Sequence, residues 1–313
     1  MSDKRLSEIF ENAPSNWGRW GDDDECGAVN HLTEERVLRG IAAVEHGRTF
    51  SLGAPIGRPE GDPKTPSRPD AQHYMRRDRG HYEAGKVAGD DRQGADDVLF
   101  LPIHGTTHVD ALGHAWYGDQ LYNGFDPETT KGGLDRCSVE PIADRGVVGR
   151  GVLLDVARYR GVDHLERGEQ IPLEELLACA DEQGVEIETG DVPLIRTGWL
   201  ERFYEGDQEP IVAYDEPGIT YSEELAEWFH DTEIPAFATD TLASEQTYSE
   251  MGLRLPLHAT LIRDQGVLFT EIALLDELAA DCAEDGSYDF LYVCSPLKIV
   301  GGTGSPVNPL AIK

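Results

Sequence analysis

Three histidines and an aspartate fall within eleven residues of a chain that has ten histidines in 313 residues. They are His104, His108, Asp110 and His114, in the run HGTTHVDALGH. Two imidazoles and a carboxylate form a ligand set that suits Zn²⁺, Mn²⁺ or Fe²⁺. Three protein ligands leave positions open for water and substrate, as in catalytic metal sites. His114, six residues after His108, is either a fourth ligand or a general acid–base residue.

The backbone around this cluster must bring the four side chains together. All four positions have even numbers, so an extended chain would direct them to one face. Gly105 and Gly113 interrupt that regularity and permit tight turns. A helix would align His104 with His108, but Gly105, two threonines and a valine disfavour it. We therefore expect a strand followed by a turn. An isolated histidine is usually a satisfied polar residue, and only the density of this cluster favours a metal site.

Composition excludes several classes of function. The mean hydropathy is −0.43, and no apolar run approaches the roughly 20 residues of a membrane span. The N-terminus lacks the apolar segment of a signal peptide, so we expect a cytoplasmic protein without membrane contact. The net charge of −32 argues against nucleic acid as a partner. The acidic residues are dispersed and only six residues are Lys, which suggests a halophilic surface adapted to high salt.

The five cysteines are widely spaced and contain no CxxC, which predicts free thiols and excludes zinc fingers and redox motifs. Residues 54–98 are polar and rich in Gly, Pro, Arg and Asp, and we expect them to form a long loop or flap. We find no internal repeat and no low-complexity linker, which favours a single domain over residues 1–313.

Apolar runs bounded by turn residues predict the strands, and amphipathic runs between them predict helices. One helix is expected over 32–47, with Thr33 as N-cap and Gly47 as its end. Together these runs predict an α/β protein with a mixed sheet. The expected strands are 97–103, 150–156, 191–197, 234–240 and 288–294; further helices are expected at 172–184 and 222–231, and a helix, a strand and a helix within 255–279.

The run HGTTHVDALGH resembles the HxGTHxDxxxH signature of the metal-dependent cyclase family, which includes bacterial kynurenine formamidase and isatin hydrolase. The resemblance spans nearly the whole chain and is with the longer branch of the family. It implies a swivelling β/β/α fold with an extended N-terminal region, and a homodimer or homotetramer. The other blocks that carry it are NWGRWGDDDECGAVNHLT (16–33), LYNG (121–124), LIRTGW (194–199), ATDTLASE (238–245), LHATLIRDQGVLFTE (257–271) and PLKIVGGTGSPVNP (296–309).

The resemblance also implies residue roles. It makes His114 the catalytic histidine and adds His258 and Glu271 as ligands of a second metal, beside the ligands His104, His108 and Asp110. Taken alone, His258 would be a helix cap or core residue and Glu271 an exposed strand end. With a single metal, both would instead orient the ligands. The signature departs from the family at residues 105–106, Gly-Thr, which leaves the path of the loop between the first two ligands open.

Other residues have open alternatives. Five aromatic residues could form an apolar wall for the substrate, and two of them, Trp20 and Trp199, could equally be ordinary core aromatics. The other three are Trp17, Trp116 and Tyr122. Asp240 and Glu245 could accept hydrogen bonds from ligand histidines or cap the following turn. The run GGTGSP (301–306) lacks the GK[ST] of a phosphate loop and is better explained as a glycine-rich turn at the active site.

The predicted activity is hydrolysis of a carbon–nitrogen bond in a small amide, formamide (as in an arylformamidase) or cyclic imide or lactam. One or two Zn²⁺ or Mn²⁺ ions would lower the pKa of a bound water toward about 7, so that hydroxide forms at neutral pH. His114 would take a proton from the water and return it to the leaving nitrogen. No GxSxG run suggests a serine nucleophile. The alternatives are metal-dependent ring closure or dehydration, and a non-catalytic metal- or ligand-binding protein.

Overall fold

The structure is a computed structural model that describes residues 6–87, 92–207, 215–248 and 252–313. Strands and helices alternate along the second half of the chain. The strands are β1 Thr49–Ser51, β2 Gln72–Arg77, β3 Asp96–Phe100, β4 His108–Asp110, β5 Val147–Asp155, β6 Gln170–Ile171, β7 Val192–Arg196, β8 Gly218–Ile219, β9 Ala236–Thr239, β10 Leu268–Glu271, β11 Asp289–Cys294, β12 Gly304–Pro306 and β13 Leu310–Ile312.

The helices fall mainly between these strands. A π-helix, His258–Gln265, and three 3₁₀ turns, Gly27–His31, Tyr122–Gly124 and Pro127–Thr130, accompany the α-helices. The α-helices are α1 Leu6–Ile9, α2 Glu34–Ala42, α3 Arg79–Glu83, α4 Val139–Arg145, α5 Val156–Arg160, α6 Leu173–Gln183, α7 Trp199–Tyr204, α8 Glu223–Asp231 and α9 Asp276–Asp285.

A mixed sheet forms the centre of the molecule. Within the described ranges its nine strands run in the order β1-β13-β11-β5-β7-β9-β10-β4-β12. The inner strands β5, β7, β9 and β10 are parallel, whereas β4, β12 and the strands at the opposite end pair antiparallel. The parallel strands are buried along almost their whole length, as is usual for parallel strands in α/β proteins. The predicted α/β class with a mixed sheet is confirmed.

Helix α2 shows how closely the outer layer packs on this sheet. The Thr33 side chain accepts a hydrogen bond from the Arg36 amide, which confirms the predicted N-cap. The helix ends at Ala42, so the expected end at Gly47 is wrong. A Cβ on Gly40 would lie 2.6 Å from the backbone of Gly149 in β5. Glycine is therefore required where the helix crosses the strand.

Most of the predicted elements are present, and the five cysteines are free thiols as expected. The run 97–103 is an exception, because β3 is exposed and, among the strands of the described ranges, pairs with β2 alone in a separate two-stranded sheet. The 54–98 segment accordingly contains β2, α3 and part of β3 and is not a structureless loop. No helix in the described ranges has the length and apolarity needed to cross a membrane.

Candidate metal centre

Strand β4 supplies two of the predicted ligands, and its neighbours complete the site. His108 and Asp110 lie on the same face of the strand, with the buried Val109 between them on the other face. Glu271, the last residue of β10, is the register partner of His108. Directly opposed residues of an antiparallel pair share a face, so Glu271 points to the same side as the two ligands.

His104 reaches the site from a turn that precedes β4. The expected order, a strand followed by a turn, is therefore wrong for this part of the cluster. The Gly105 amide donates to the Pro102 carbonyl at 3.1 Å and closes the turn. The Thr106 carbonyl then accepts a hydrogen bond of 2.8 Å from Nδ1 of His108. That bond leaves Nε2 of His108 free to face the carboxylates.

The threonine that follows ties this turn to the sheet. Thr107 is completely buried and its hydroxyl donates to the carbonyl of Ile272 at 2.6 Å. The same oxygen accepts from the amide of Ala54 at 2.7 Å. Ile272 directly follows Glu271, so one hydroxyl links the turn carrying His104 to the strand carrying Glu271. The Gly-Thr pair that departs from the signature thus leads into a well-bonded loop.

His258, the first residue of the π-helix, is the third histidine among the candidate ligands. Its ring packs on Phe269, with the ring centroids 4.5 Å apart. Its Nδ1 lies 2.8 Å from Oε1 of the buried Glu245, and its backbone amide donates to the same oxygen at 2.7 Å. Its Nε2 consequently faces Oε1 of Glu271, at 3.3 Å, and Oδ2 of Asp110, at 3.8 Å. Glu245 is therefore a partner of the predicted ligand His258.

The candidate ligand atoms lie close together. Oδ1 of Asp110 is 3.2 Å from Nε2 of His104 and 3.4 Å from Nε2 of His108, and Nε2 of His108 is 3.3 Å from Oε2 of Glu271. Two sets of three could each hold an ion, with all ligand atoms of a set within 4.8 Å of one another. The sets are His104, His108 and Asp110, and Asp110, His258 and Glu271, so Asp110 belongs to both.

The hydrogen bonding of five of these atoms shows that the site fits a metal ion. They are buried and, within the described part of the chain, make no hydrogen bond. A buried polar atom without a partner costs about 1–3 kcal/mol, so several in one place need a common partner. A divalent cation is such a partner, because neutral imidazoles and carboxylates donate electron pairs to it. The five atoms are Nε2 of His104, Nε2 of His108, both carboxylate oxygens of Asp110, and Oε1 of Glu271.

The pKa values of these side chains are consistent with their role as metal ligands. Burial by itself would lower the pKa of His108, but Asp110 and Glu271 outweigh it and raise this pKa to about 9. Burial would raise the pKa of both carboxyls, whereas the surrounding histidines hold each below its ordinary value. The carboxylates thus stay ionised beside protonated histidines, and a metal ion would replace the protons of these histidines.

His114 is placed differently from the ligands. Its ring stacks on His104 with the centroids 4.1 Å apart, and its Nε2 is 4.0 Å from Oδ1 of Asp110. Its side chain is 26% exposed, whereas His108 and Asp110 are buried. Burial, with His104 and His258 nearby, lowers the pKa of His114 to about 4. A neutral imidazole at the open side of a metal site can accept a proton.

The three predicted substrate-contacting aromatics occupy unlike positions. Nε1 of Trp17 donates to the Arg263 carbonyl at 2.7 Å, and Trp116 is exposed. Tyr122 is completely buried, and its hydroxyl donates to Asp24 at 2.9 Å. Tyr122 therefore lies in the core. For all three aromatics, contact with a substrate stays a prediction.

Two further residues near the site have roles that the sequence left open or missed. Asp240 accepts from the amides of Thr197, at 2.9 Å, and Gly198, at 2.6 Å, so it caps the turn at these residues. Among the described residues it makes no hydrogen bond to a ligand histidine. Gly304, within the run 301–306, pairs with Asp110 in the sheet. A Cβ on Gly304 would lie 2.9 Å from Nε2 of His104. The glycine thus keeps space clear beside a ligand atom.

Known proteins resemble this chain over most of its length. A family model described as "Putative cyclase" matches residues 44–246. "Cyclase-like protein 2" from Oryza sativa subsp. japonica is 27% identical over 217 residues, which cover 69% of this chain and 64% of that relative. The chain thus spans less than two thirds of the length of this curated relative.

Solved structures share the fold. A crystal structure of a novel cyclase is 36% identical, covers 96% of this chain and 100% of its own, and has a TM-score of 0.87. Isatin hydrolase A from Ralstonia solanacearum is 21% identical with a TM-score of 0.62, over 89% of this chain and 97% of its own. The matched model and the similar solved cyclase agree with the implied cyclase-like fold, and the chain belongs to the cyclase family.

Proposed function

We propose that this protein is a metal-dependent hydrolase that cleaves a carbon–nitrogen bond in a small amide, formamide or cyclic imide or lactam. The observation that carries the proposal is a group of five buried nitrogen and oxygen atoms that make no hydrogen bond within the described residues, on His104, His108, Asp110 and Glu271. Solved structures with the same fold are described as isatin hydrolases and as a predicted metal-dependent hydrolase from Bacillus stearothermophilus. These relatives support the choice of a hydrolase.

The residues of the site would hold one or two divalent ions, Zn²⁺ or Mn²⁺. His104, His108 and Asp110 form one ligand set, and His258 and Glu271 complete the second with Asp110. When bound, such an ion lowers the pKa of a coordinated water and polarises a carbonyl group. Asp110 and Glu271 would balance the charge of such an ion, and the imidazoles of His104, His108 and His258 would complete its protein ligands.

His114 would move the proton of the reaction. Its partly exposed ring lies beside the ligand atoms, and its Nε2 is 4.0 Å from Asp110. Hydrolysis needs one group to accept a proton from the attacking water and then to donate it to the leaving nitrogen. A histidine at the open side of the site can do both, and the stack on His104 holds its ring in place.

Two variants test the assignment. We expect His108→Ala to lose the metal, and His114→Ala to retain it while turnover falls by about 10²- to 10⁴-fold. Elemental analysis of the purified proteins measures the metal. Activity is measured on N-formyl amides, cyclic imides and isatin in ¹⁸O-labelled water, and hydrolysis requires that the label enters the product. Retention of both metal and activity by both variants would refute the assignment, and label-free ring-closed products would replace hydrolysis by cyclisation.

A further inference from the structure

Arg68 lies beside the candidate metal centre and has hydrogen-bond donors that the protein does not use. Its Nη1 donates to the backbone carbonyl of His104, the candidate ligand on the turn before β4. The side chain is half-buried. Among the described residues, Nε and Nη2 of Arg68 make no hydrogen bond, and both reach solvent. The edge of the guanidinium formed by Nε and Nη2 is therefore free to bind another group.

Arg68 also has no carboxylate partner, although the chain has 59 Asp and Glu residues. Within the described ranges no carboxylate oxygen lies within 4.0 Å of its nitrogens. The three carboxylates of the surrounding segment, residues 58–70, are bonded to other groups. They are Glu60, which is 3.6 Å from Arg58, Asp62, which accepts from the Gly57 amide at 2.9 Å, and Asp70, which is 2.9 Å from Lys64. A guanidinium without a counter-ion can bind an anion from solution.

The position of this guanidinium relative to the candidate ligands is fixed by several hydrogen bonds. The amide of Arg68 donates to the Thr65 carbonyl at 3.0 Å and closes a turn. The segment begins at Ala54, whose amide is bonded to Thr107 in the turn that carries His104. Since one hydrogen bond and one histidine separate them, the guanidinium lies within roughly 10 Å of Nε2 of His104. A small molecule with one end at the metal centre could reach Arg68 with the other end.

The shape and charge of the guanidinium indicate which anion fits. Nε–H and one N–H of Nη2 are parallel, and this fork matches the two oxygens of a carboxylate. One guanidinium balances one negative charge, whereas a phosphate group carries about two at neutral pH. Within the described residues the nearby Lys64 is paired with Asp70, so no second cation of this segment is free for a phosphate. A carboxylate is therefore the group that fits Arg68.

We propose that Arg68 binds a carboxylate of the substrate while the amide or formamide group of the substrate lies at the metal centre. The substrate class is then anionic, and it consists of amides or formamides that also carry a carboxylate, such as N-formyl amino acids. Neutral cyclic imides and lactams would be poorer substrates, because they leave Arg68 without a partner. This inference rests on the proposed function, since it names the substrate class of the same site.

Isothermal titration calorimetry of the metal-loaded full chain with two probes tests the inference. N-formylphenylalanine has the carboxylate, and N-formylphenylalanine amide has a neutral group of nearly the same shape. All titrations use the His114→Ala background, in which hydrolysis should be slow. The acid should bind about 10- to 100-fold more tightly than the amide, as expected for hydrogen bonds to a charged group. Arg68→Met should bring this ratio close to 1 by weakening the binding of the acid alone, and Arg68→Lys should keep part of the preference.

Arg145→Met serves as the control. Arg145 also donates to a neutral oxygen, Oδ1 of Asn30 at 2.8 Å, and has no carboxylate within 4.0 Å among the described residues. It lies on α4, which contributes none of the candidate ligands, so its replacement should leave the ratio unchanged. Elemental analysis and circular dichroism show whether each variant keeps its metal and its fold. If Arg68→Met loses either, Arg68→Gln takes its place, because glutamine keeps a neutral donor for the carbonyl of His104.

The inference is overturned if the protein with Arg68 intact does not prefer the acid, which includes binding of neither probe. It is also overturned if the Arg68 variant keeps its metal, its fold and the full preference, because the metal alone would then bind the carboxylate. Hydrolysis is measured separately with wild type, as formate released from each probe. A preference that depends on Arg68, without release of formate, would support the carboxylate site and count against the proposed hydrolysis of formamides.

Discussion

Replacing Glu245 should weaken metal binding, although this residue is not a predicted ligand. Its carboxylate is completely buried and accepts hydrogen bonds from the amides of Leu257, at 2.8 Å, and His258, at 2.7 Å. It also contacts Nδ1 of His258 at 2.8 Å, which fixes the ring with Nε2 toward Glu271. Partners that orient metal-bound histidines typically contribute 10- to 100-fold to metal affinity.

The size of the effect follows from these three contacts. Glu245→Ala should lower metal affinity by about 10- to 100-fold, which is about 1.4–2.7 kcal/mol. It also leaves two buried amides without an acceptor, so the free energy of unfolding should fall by about 1–3 kcal/mol for each. Glu245→Gln keeps one oxygen for both groups of His258 and loses only the acceptor for Leu257. Its effect on metal affinity should therefore be clearly smaller.

Glu216→Ala is the matched control. Glu216 is also completely buried and accepts from the amides of Leu242, at 2.7 Å, and Ala243, at 3.1 Å. Within the described residues no hydrogen bond joins it to a predicted ligand, and it is linked to Glu271 only by charge repulsion. Metal affinity is measured by competition with a chelating dye, at a temperature where circular dichroism shows all variants folded. The positioning role of Glu245 is refuted if both alanine variants lose affinity equally, or if Glu245→Ala binds metal like wild type.

Two further predictions concern Gly304 and His31. Gly304→Ala should lose metal and destabilise the protein by about 1–3 kcal/mol, because the new Cβ would lie 2.9 Å from Nε2 of His104 and 2.6 Å from the Val109 carbonyl; metal content and denaturant unfolding check this. Burial lowers the pKa of His31 to about 4, so the unfolded chain binds a proton that the folded chain excludes. Between pH 7 and 5 the free energy of unfolding of wild type should therefore fall by about 2 kcal/mol because of this residue, and His31→Asn should not show this fall. His46→Asn is the control, because His46 is exposed, and this variant should show the same fall in the free energy of unfolding as wild type. If His31→Asn also shows that fall, the role of His31 is contradicted.

Local patterns predicted most of the elements because their causes are local. The Thr33 cap, the continuous apolar runs of the parallel strands and the amphipathic α6 and α8 all depend on neighbouring residues. The end of α2 was missed because the helix stops where it has crossed β5, which is a tertiary constraint. Likewise, the apolar run 97–103 has the composition of a core strand, but its first four residues lie in the exposed strand β3.

In the candidate site, too, only the residues that are close in sequence could be predicted from local patterns. His104, His108 and Asp110 are close in sequence, so their residue types and spacing sufficed to predict a ligand set. His258 and Glu271 gained their roles only from the family resemblance, since nothing in their spacing relates them to residue 108. The partnership of Glu245 with His258 was left undecided for the same reason, because a carboxylate 13 residues away could equally cap a turn.

The register of the sheet brings the candidate ligands of β4 next to the candidate ligand of β10. The pairing of β10 with β4 sets Glu271 opposite His108, and Phe269, on the same face, supports the ring of His258. A slip of one residue would place Thr270 opposite His108 and turn Glu271 to the other face of the sheet. The buried carboxylates of Asp110 and Glu271 repel each other across this register, and His108 and His258 outweigh that repulsion, since they hold the pKa of Glu271 below its ordinary value. A metal ion bound by the folded chain would bind both carboxylates, so the ion that supplies the chemistry would also stabilise the strand pairing that creates its site.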